Sequence, residues 1–386
     1  MKKQRKCMRT ELMIAISILL LFIISVSCIG CELKALTNTA PSDKNVIKPA
    51  TASTSITTTE VPQTTVPETT VPVTEPPKPP QFLNPLSGCE ATEEISKKRP
   101  VAICIGNTAS SLPQFGIGDA EILVEAPVEG GITRLMIISC NYSNADVIGS
   151  VRSTRSYLAD IANQFDAIQA YVGTTDSGKS TAFKSYDTMD YIIQNMSNVY
   201  YTDASRSSPH HIMTNGDRLS NGIASLGFRT SVSNKALPFE FAEYFSKATL
   251  SENDSLYVRI PFSSAQTAEF KYNSSTENYE RYQFSSVHSD SDNGKGLSFK
   301  NLILLFCDAT TYDKASGTEI SIDMQNGGTG YYASEGKYMD IIWYRDKNSD
   351  LKFTDKNGNP LVINRGKTYI GLIRISSKTS VVLNSN

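Results

Sequence analysis

The chain has 386 residues, 40% of them hydrophobic, and a formal net charge of −2. That length and apolar content allow two domains with real cores once a targeting segment is set aside. A charge so near zero gives no global signal for nucleic acid or for an anionic membrane surface.

Residues 1–31 read as a lipoprotein signal peptide. Lys2, Lys3, Arg5, Lys6 and Arg9 form a positive n-region, and Met13 to Val26 is the apolar run MIAISILLLFIISV. The run is short for a spanning helix and suits a signal-peptide h-region. An uncleaved anchor helix is the alternative. SVSCIGC follows. A cysteine after small residues at this point resembles a bacterial lipobox, in which the thiol takes a diacylglycerol. Cys28 is the preferred lipidation site, because its upstream residues are apolar or small; Cys31 is the alternative, and neither has Leu three positions back. Both readings tether an extracytoplasmic chain to the outer face of the cytoplasmic membrane.

Residues 32–84 contain TASTSITTTEVPQTTVPETTVPVTEPPKPP. Thr, Pro, Val and Glu without aromatics cannot bury a core, so a disordered Thr/Pro-rich stalk is expected. About thirty such residues at ~3.1 Å each reach roughly 90 Å in a polyproline-like extension.

Beyond the stalk the pattern predicts an α+β protein. A mixed α/β domain over 85–236 precedes a β-rich domain over 237–386. In the first, Val101 to Ile105, Ile122 to Val128, Ile132 to Cys140 and Ala167 to Val172 predict strands. Ser153 or Thr154 is expected to cap a helix with Tyr157, Leu158, Ile161 and Phe165 on its apolar stripe. A second helix is expected through Tyr191 and Ile192. In the other, LYVRIP, AEFKY, YERYQF, NLILLF, EISIDM, YMDIIWY and TYIGLI predict strands separated by turn residues. A hairpin is expected between Tyr272 and Tyr279, and a turn at KNGNP, 356–360.

The segment EAPVEGGITRLMIISC, followed closely by IGSVRSTR, concentrates charge inside apolar surroundings. In an extended run Glu125, Pro127 and Glu129 share one face, and Gly130-Gly131 ends the strand as a bulge or tight turn. Unpaired buried charge is very costly, so Glu125, Glu129, Arg134, Arg152 and Arg155 need partners. Arg152 and Arg155 flank a predicted helix start, where free N–H groups also favour an anion. Arg206 belongs with them. Two arrangements answer this pattern. One is a ligand site for carboxylate or phosphate groups. The other is a structural network in which the arginines pair only with Glu125, Glu129 and Asp119.

Other motifs carry less. GTTDSGKS, Gly173 to Ser180, fits the P-loop pattern letter for letter. The signal peptide places it where nucleotides are scarce, and Asp308, the acid after NLILLFC, falls in the other domain. A polar turn with Lys179 exposed is expected instead. His210 and His211 are adjacent and would face opposite ways on a strand, so they make poor joint metal ligands. No metal or cofactor is expected. His210 is either a proton donor or a hydrogen-bonded core residue. Cys104, Cys140 and Cys307 sit in apolar runs and are expected as buried thiols.

EAPVEGGITR, IGSVRSTRSY and SRSSPHH, with RPVAICIGN and SLPQFGIGDAEI before them, resemble the YerB family of bacterial lipoproteins. GYYASEGKYMDIIWYR and INRGKTYI resemble that family's second domain. The resemblance covers the chain from about Arg99 onward. It implies a two-domain envelope lipoprotein, it includes no phosphate loop, and it marks His210 through the Pro-His pair. It implies no reaction.

The reading is a lipid-anchored lipoprotein with a binding or accessory role at the cell envelope. The candidate ligand-binding residues are Glu125, Glu129, Arg134, Arg152, Arg155, Arg206 and His210. The candidate partners are a wall glycan, a stem peptide or an envelope protein, and not nucleic acid. The rival is an envelope hydrolase or transferase with Glu129 as acid/base, helped by Arg152, Arg155 and His210. A sensory module with the β-rich domain as its docking surface is a third class.

Overall fold

The computed structural model describes residues 77–175, 186–250, 253–314 and 317–384. The expected signal peptide, Cys28 and Cys31, nearly all of the stalk, and Lys179 of the P-loop lookalike lie outside the described residues. No helix among the described residues is long and apolar enough to cross a membrane.

After a short helix α1, Glu93–Lys97, the chain enters β1, Val101–Asn107, then β2, Ile122–Pro127, and β3, Thr133–Ser139. Helix α2, Ser156–Gln164, leads to β4, Ile168–Tyr171, and β5, Thr188–Asp190; helix α3 follows at Gly216–Ser225. The later part is built from β6, Tyr257–Pro261, β7, Thr267–Asn273, β8, Asn278–Gln283, and β9, Asn301–Cys307. A two-stranded arm comes next, β10, Ala309–Lys314, and β11, Gly317–Ile322. The chain then makes β12, Gly328–Ser334, β13, Lys337–Arg345, β14, Leu351–Thr354, β15, Thr368–Arg374, and β16, Val382–Asn384.

Both halves contribute to one ten-stranded sheet, in the order β14-β13-β12-β9-β15-β2-β3-β1-β4-β5. The halves meet where β2 runs parallel to β15, with Ile122 opposite Thr368 and Glu125 opposite Gly371. The middle strands are covered on both faces. β1, β2, β3 and β9 are buried at every position, so they read as continuous apolar runs rather than alternating ones.

One face packs against a second, six-stranded sheet that contains β6, β7, β8 and β16. Val258, Ile260, Phe270 and Tyr279 from that sheet share a core with Ile103, Ile105, Leu123 and Ile137. β8 alternates half-buried and buried residues, as expected of an antiparallel strand with one wet face. The other face of the long sheet carries α2. Tyr157, Leu158, Ile161, Ala162 and Phe165 pack with Cys104, Val124 and Met136. Fully burying a side chain such as Leu158 or Ile161 contributes about 1.5–3 kcal/mol.

The expected strands are present, as are the hairpin at Asn273–Asn278 and the turn closed by Asp355 N–H to Asn359 O. Three local expectations fail. Arg155, not Ser153 or Thr154, is the N-cap of α2, and no side chain caps it. Tyr191 and Ile192 lie in a turn after β5, where Asp190 accepts from the amides of Ile192 and Gly173 and closes the chain on itself. Helix α3 was not expected; Asn215 caps it by accepting from Arg218 N–H at 2.9 Å.

The two sheets are joined by a fully enclosed polar cluster. Glu125, on β2, is wholly buried and pairs with Arg281, on β8, at 2.7 Å. The same carboxylate accepts from Tyr369 Oη at 2.8 Å, Thr133 Oγ1 at 2.6 Å and Asn107 Nδ2 at 3.0 Å. Arg281 also donates to His288 Nδ1 and to Gln283 Oε1. The far nitrogen of His288 then donates to Gln114 Oε1, and Gln114 Nε2 donates to the carbonyl of Gly106. Burial, and then the Arg281 charge, hold His288 well below its ordinary value, so its ring is neutral.

Glu125 is therefore a structural residue. Truncating one member of a buried ion pair strands the other, which typically costs ~3–5 kcal/mol. Glu125→Ala is expected to lose stability on that scale in denaturant unfolding. A loss below about 1 kcal/mol would show that the pair does not hold the sheets together.

Candidate functional site

The remaining charged residues gather on the opposite face of the same sheet, at the open ends of β1, β2 and β3. Strand register places them. Arg134 lies between Gly106 on β1 and Ala126 on β2. These two minimal neighbours leave room for its side chain, which has an exposure of only 4%. Next, the chain from Ser150 to Thr154 crosses the ends of β1 and β4. Gly106 N–H reaches Ser150 O, Arg152 N–H reaches Cys104 O, and Thr154 N–H reaches Gly173 O. This crossing sets Arg152 directly over Gly106, where an added Cβ would stand 3.1 Å from Arg152 Cγ and 2.7 Å from Ser111 Oγ. It also delivers Arg155 to the N-terminus of α2.

Glu129 comes from the 3-10 turn Glu129–Gly131, where Gly130 and Gly131 hold φ of 77° and 71°. Those left-handed values suit glycine and turn the chain tightly enough to present Glu129 to Arg155. Arg155 Nε donates to both carboxylate oxygens, at 3.2 and 3.0 Å, and Nη2 makes a further ion pair. The backbone N–H of Ile320, on β11, donates to Glu129 Oε1 at 3.0 Å, so the β10–β11 arm is tied to the same carboxylate. Burial works to raise Glu129, but the bonds and charge of Arg155 outweigh it and hold the carboxyl below its usual range. The same pairing outweighs burial for Arg155 and raises it.

Arg134 and Arg152 have no such partner. Arg134 makes no hydrogen bond or ion pair among the described residues, and its Nε is buried. Burial, with Arg155 and Arg152 close by, pushes it down to about 9, so it stays protonated at neutral pH. Arg152 donates to Pro209 O at 2.6 Å, leaves Nε buried without a partner and meets no carboxylate among the described residues. Burial and then Arg155 lower it also. Three guanidinium groups thus lie close together at the start of a helix whose first N–H groups have no side-chain cap, and only Arg155 is bonded to a carboxylate among the described residues.

His210 forms the wall beside Arg152. Its Nδ1 lies 3.3 Å from Ser111 Oγ and its Nε2 lies 3.1 Å from Ser110 Oγ. Thr108 Oγ1 joins both serines, at 2.7 and 3.0 Å, and completes a rim of hydroxyls. Burial, and then Arg152, Arg206 and Arg134, lower His210 and keep its ring neutral near pH 7. Arg206 works as a strut, donating to the carbonyls of Ser111, Pro113 and His210. On its side of His210 opens a cavity of about 300 Å³, lined by Ser110, Leu112, Phe115, Asp203, Arg206 and His210.

The expected set therefore divides. Glu129, Arg134, Arg152, Arg155 and His210 converge, with Arg206 supporting them. Glu125 does not join them. Period-two alternation turns it to the other face, and the tight turn takes Glu129 out of the strand, so the expected sharing of one face fails. Asp119 is apart as well; it lies near Asp290 and Lys367 rather than near an arginine. Thr108, Ser110 and Ser111 were missed, because nothing in a short polar loop marks it as facing a histidine a hundred residues later. Cys104 borders the site, and its burial pushes the thiol up, so it is a neutral core residue like Cys140 and Cys307.

An uncompensated buried cation weakens the fold that holds it. Replacing even a buried ion pair by well-packed apolar residues of similar volume is often neutral or stabilising by about 1–4 kcal/mol. Arg134→Met is expected to raise stability by ~1–3 kcal/mol, the reverse of Glu125→Ala. Destabilisation by more than about 2 kcal/mol in thermal or denaturant unfolding would mean that Arg134 is structurally paired.

Comparison with known proteins agrees with this architecture. Residues 86–229 match the N-terminal domain, and residues 258–370 the C-terminal domain, of the family described as a protein of unknown function, DUF3048. The curated "Putative lipoprotein YerB" of Bacillus subtilis (strain 168) is 25% identical over 293 residues, which covers 75% of this chain and 85% of that one. The crystal structure of the YerB protein from Bacillus subtilis shares the fold, with a TM-score of 0.67 at 24% identity over 77% of this chain and 98% of that one. With the N-terminal and C-terminal domains both matched in order, this chain belongs to the YerB (DUF3048) family.

Proposed function

We propose that this protein is a lipid-anchored lipoprotein of the bacterial envelope that binds an anionic group of an envelope component through Arg134, Arg152, Arg155 and His210. The supporting observation is the imbalance of charge. Arg134 is almost wholly buried and has no counter-charge among the described residues, and Arg152 beside it has none either. A protein that holds such groups in place sacrifices stability, and an anionic ligand supplies the missing charge. The ligand is carried by a wall glycan, a stem peptide or an envelope protein.

The reading as an envelope hydrolase or transferase is weaker. Its acid/base, Glu129, is already occupied by Arg155 and Ile320, and it is held in the ionised form. A general acid requires the reverse.

Thermal unfolding of the full-length chain in sodium sulfate, phosphate or acetate, at constant ionic strength, tests the binding reading. At least one anion is expected to raise the wild-type midpoint by several degrees. The increment should vanish in the double variant Arg134→Met, Arg152→Met. Equal responses of wild type and variant to all three anions would refute an anion site here.

The anchor is supported by SVSCIGC behind an apolar run and by the name of the Bacillus subtilis relative. Metabolic labelling with a clickable fatty acid should mark the wild-type chain. Labelling that persists in Cys28→Ser, Cys31→Ser would remove both cysteines as the anchor.

A further inference from the structure

We infer that the anionic group is a terminal phosphate monoester on a sugar or polyol, rather than a carboxylate or a phosphodiester. This rests on the binding reading above and names its ligand class. The argument starts from charge balance. Of the three guanidinium groups, only Arg155 is neutralised, through Glu129. Arg134 and Arg152 leave two positive charges without counter-charge among the described residues, one of them on a side chain with 4% exposure. A carboxylate or a phosphodiester carries one negative charge and would leave a buried cation unbalanced. A phosphate monoester carries close to two near pH 7, with its second ionisation near 6, and offers three acceptor oxygens. Guanidinium groups meet phosphate in paired, parallel hydrogen bonds. Among the described residues, Arg134 Nε and Arg152 Nε are both buried donors without a partner.

Shape and surroundings narrow the class further. Gly106 and Ala126 flank Arg134, and Ser111 and Arg152 already fill the space over Gly106, so only a compact head group fits against it. The rim is built of Thr108, Ser110, Ser111 and His210, which are joined by hydrogen bonds of 2.7–3.3 Å. Hydroxyls and a neutral imidazole suit a hydroxylated carbon chain. A terminal group that protrudes from a polymer or a small polyol can reach Arg134, whereas a flat array of lipid head groups stays above it.

Titration calorimetry of the full-length chain with glycerol 3-phosphate, dimethyl phosphate, acetate and sulfate tests the class. At pH 7.5, glycerol 3-phosphate is expected to bind at least tenfold more tightly than dimethyl phosphate or acetate. Between pH 7.5 and 5.0 its affinity should fall about tenfold as the dianion is protonated. Sulfate keeps two charges over that range and should show no such fall. Arg134→Lys retains a charge but not the paired donors, and should weaken glycerol 3-phosphate binding at least tenfold. Acetate or dimethyl phosphate binding as tightly as glycerol 3-phosphate would overturn this inference and leave the anion site standing. Binding to phosphatidic acid vesicles without binding to glycerol 3-phosphate would also overturn it, in favour of a lipid head group. Failure of every anion to bind more tightly to wild type than to Arg134→Met, Arg152→Met would remove the anion site itself.

Discussion

The buried pair of Glu125 and Arg281 is the constraint on which the rest of the structure depends. It joins the long sheet to the six-stranded sheet at a point wholly closed to water. Two ions taken out of water lose several kcal/mol each, and their mutual attraction repays this only when the remaining lone pairs and protons are also satisfied. Here Tyr369, Thr133 and Asn107 satisfy the carboxylate, while Gln283 and His288 take further guanidinium bonds and Nε alone stays buried without a partner among the described residues. Phe270 and Tyr369 add their ring faces, each about 6.0 Å from Arg281 Cζ. The bonding groups come from β1, β2, β3, β8 and β15 and from the segment that carries His288. The network therefore forms only when the early and late parts of the chain are both in place.

The same sheet carries a second charged cluster on its other face, and the two differ in one respect. Around Glu125 the partners saturate the charge. Around Arg134 they do not. Both clusters use strands β1 to β3, and Gly106 belongs to both: its carbonyl receives Gln114 from one side, while its missing side chain makes room for Arg152 on the other. The rigid, closed network thus backs the open one. A ligand site needs its charged groups held before the ligand arrives, and rigid strands hold them better than loops do.

Much of the fold was legible in the amino-acid pattern, because strands covered on both faces leave unbroken apolar runs such as NLILLFC and VAICI. The site was legible in part. Arginines and glutamates inside apolar segments announce themselves by their cost, and five of the seven candidates do converge. What the pattern could not convey was the face. Glu125 and Glu129 are four apart, and only the turn at Gly130 and Gly131 decides that they diverge. Nor could it convey the partner. Arg281 sits in YERYQF, an alternating strand in which a charged residue looks like one more solvent-facing position. Its burial follows from a contact with a residue 156 positions away. Helix α3 begins at a glycine, a weak helix former, and the cap at Asn215 gave only a local hint.

Glu129 completes the logic of the open cluster. Its carboxylate serves two structural ends, the guanidinium of Arg155 and the amide of Ile320. The first keeps Arg155 in a fixed pose and removes one of three positive charges, so the site is not overloaded with like charge. The second ties the β10–β11 arm to the site's border, an arm whose Ile320 and Ile322 also pack into the core beneath α2. A carboxylate used in this way is not free to move protons. Its value to a ligand is indirect, since it orders the cation it pairs with and leaves Arg134 and Arg152 as the charges that an incoming anion must answer.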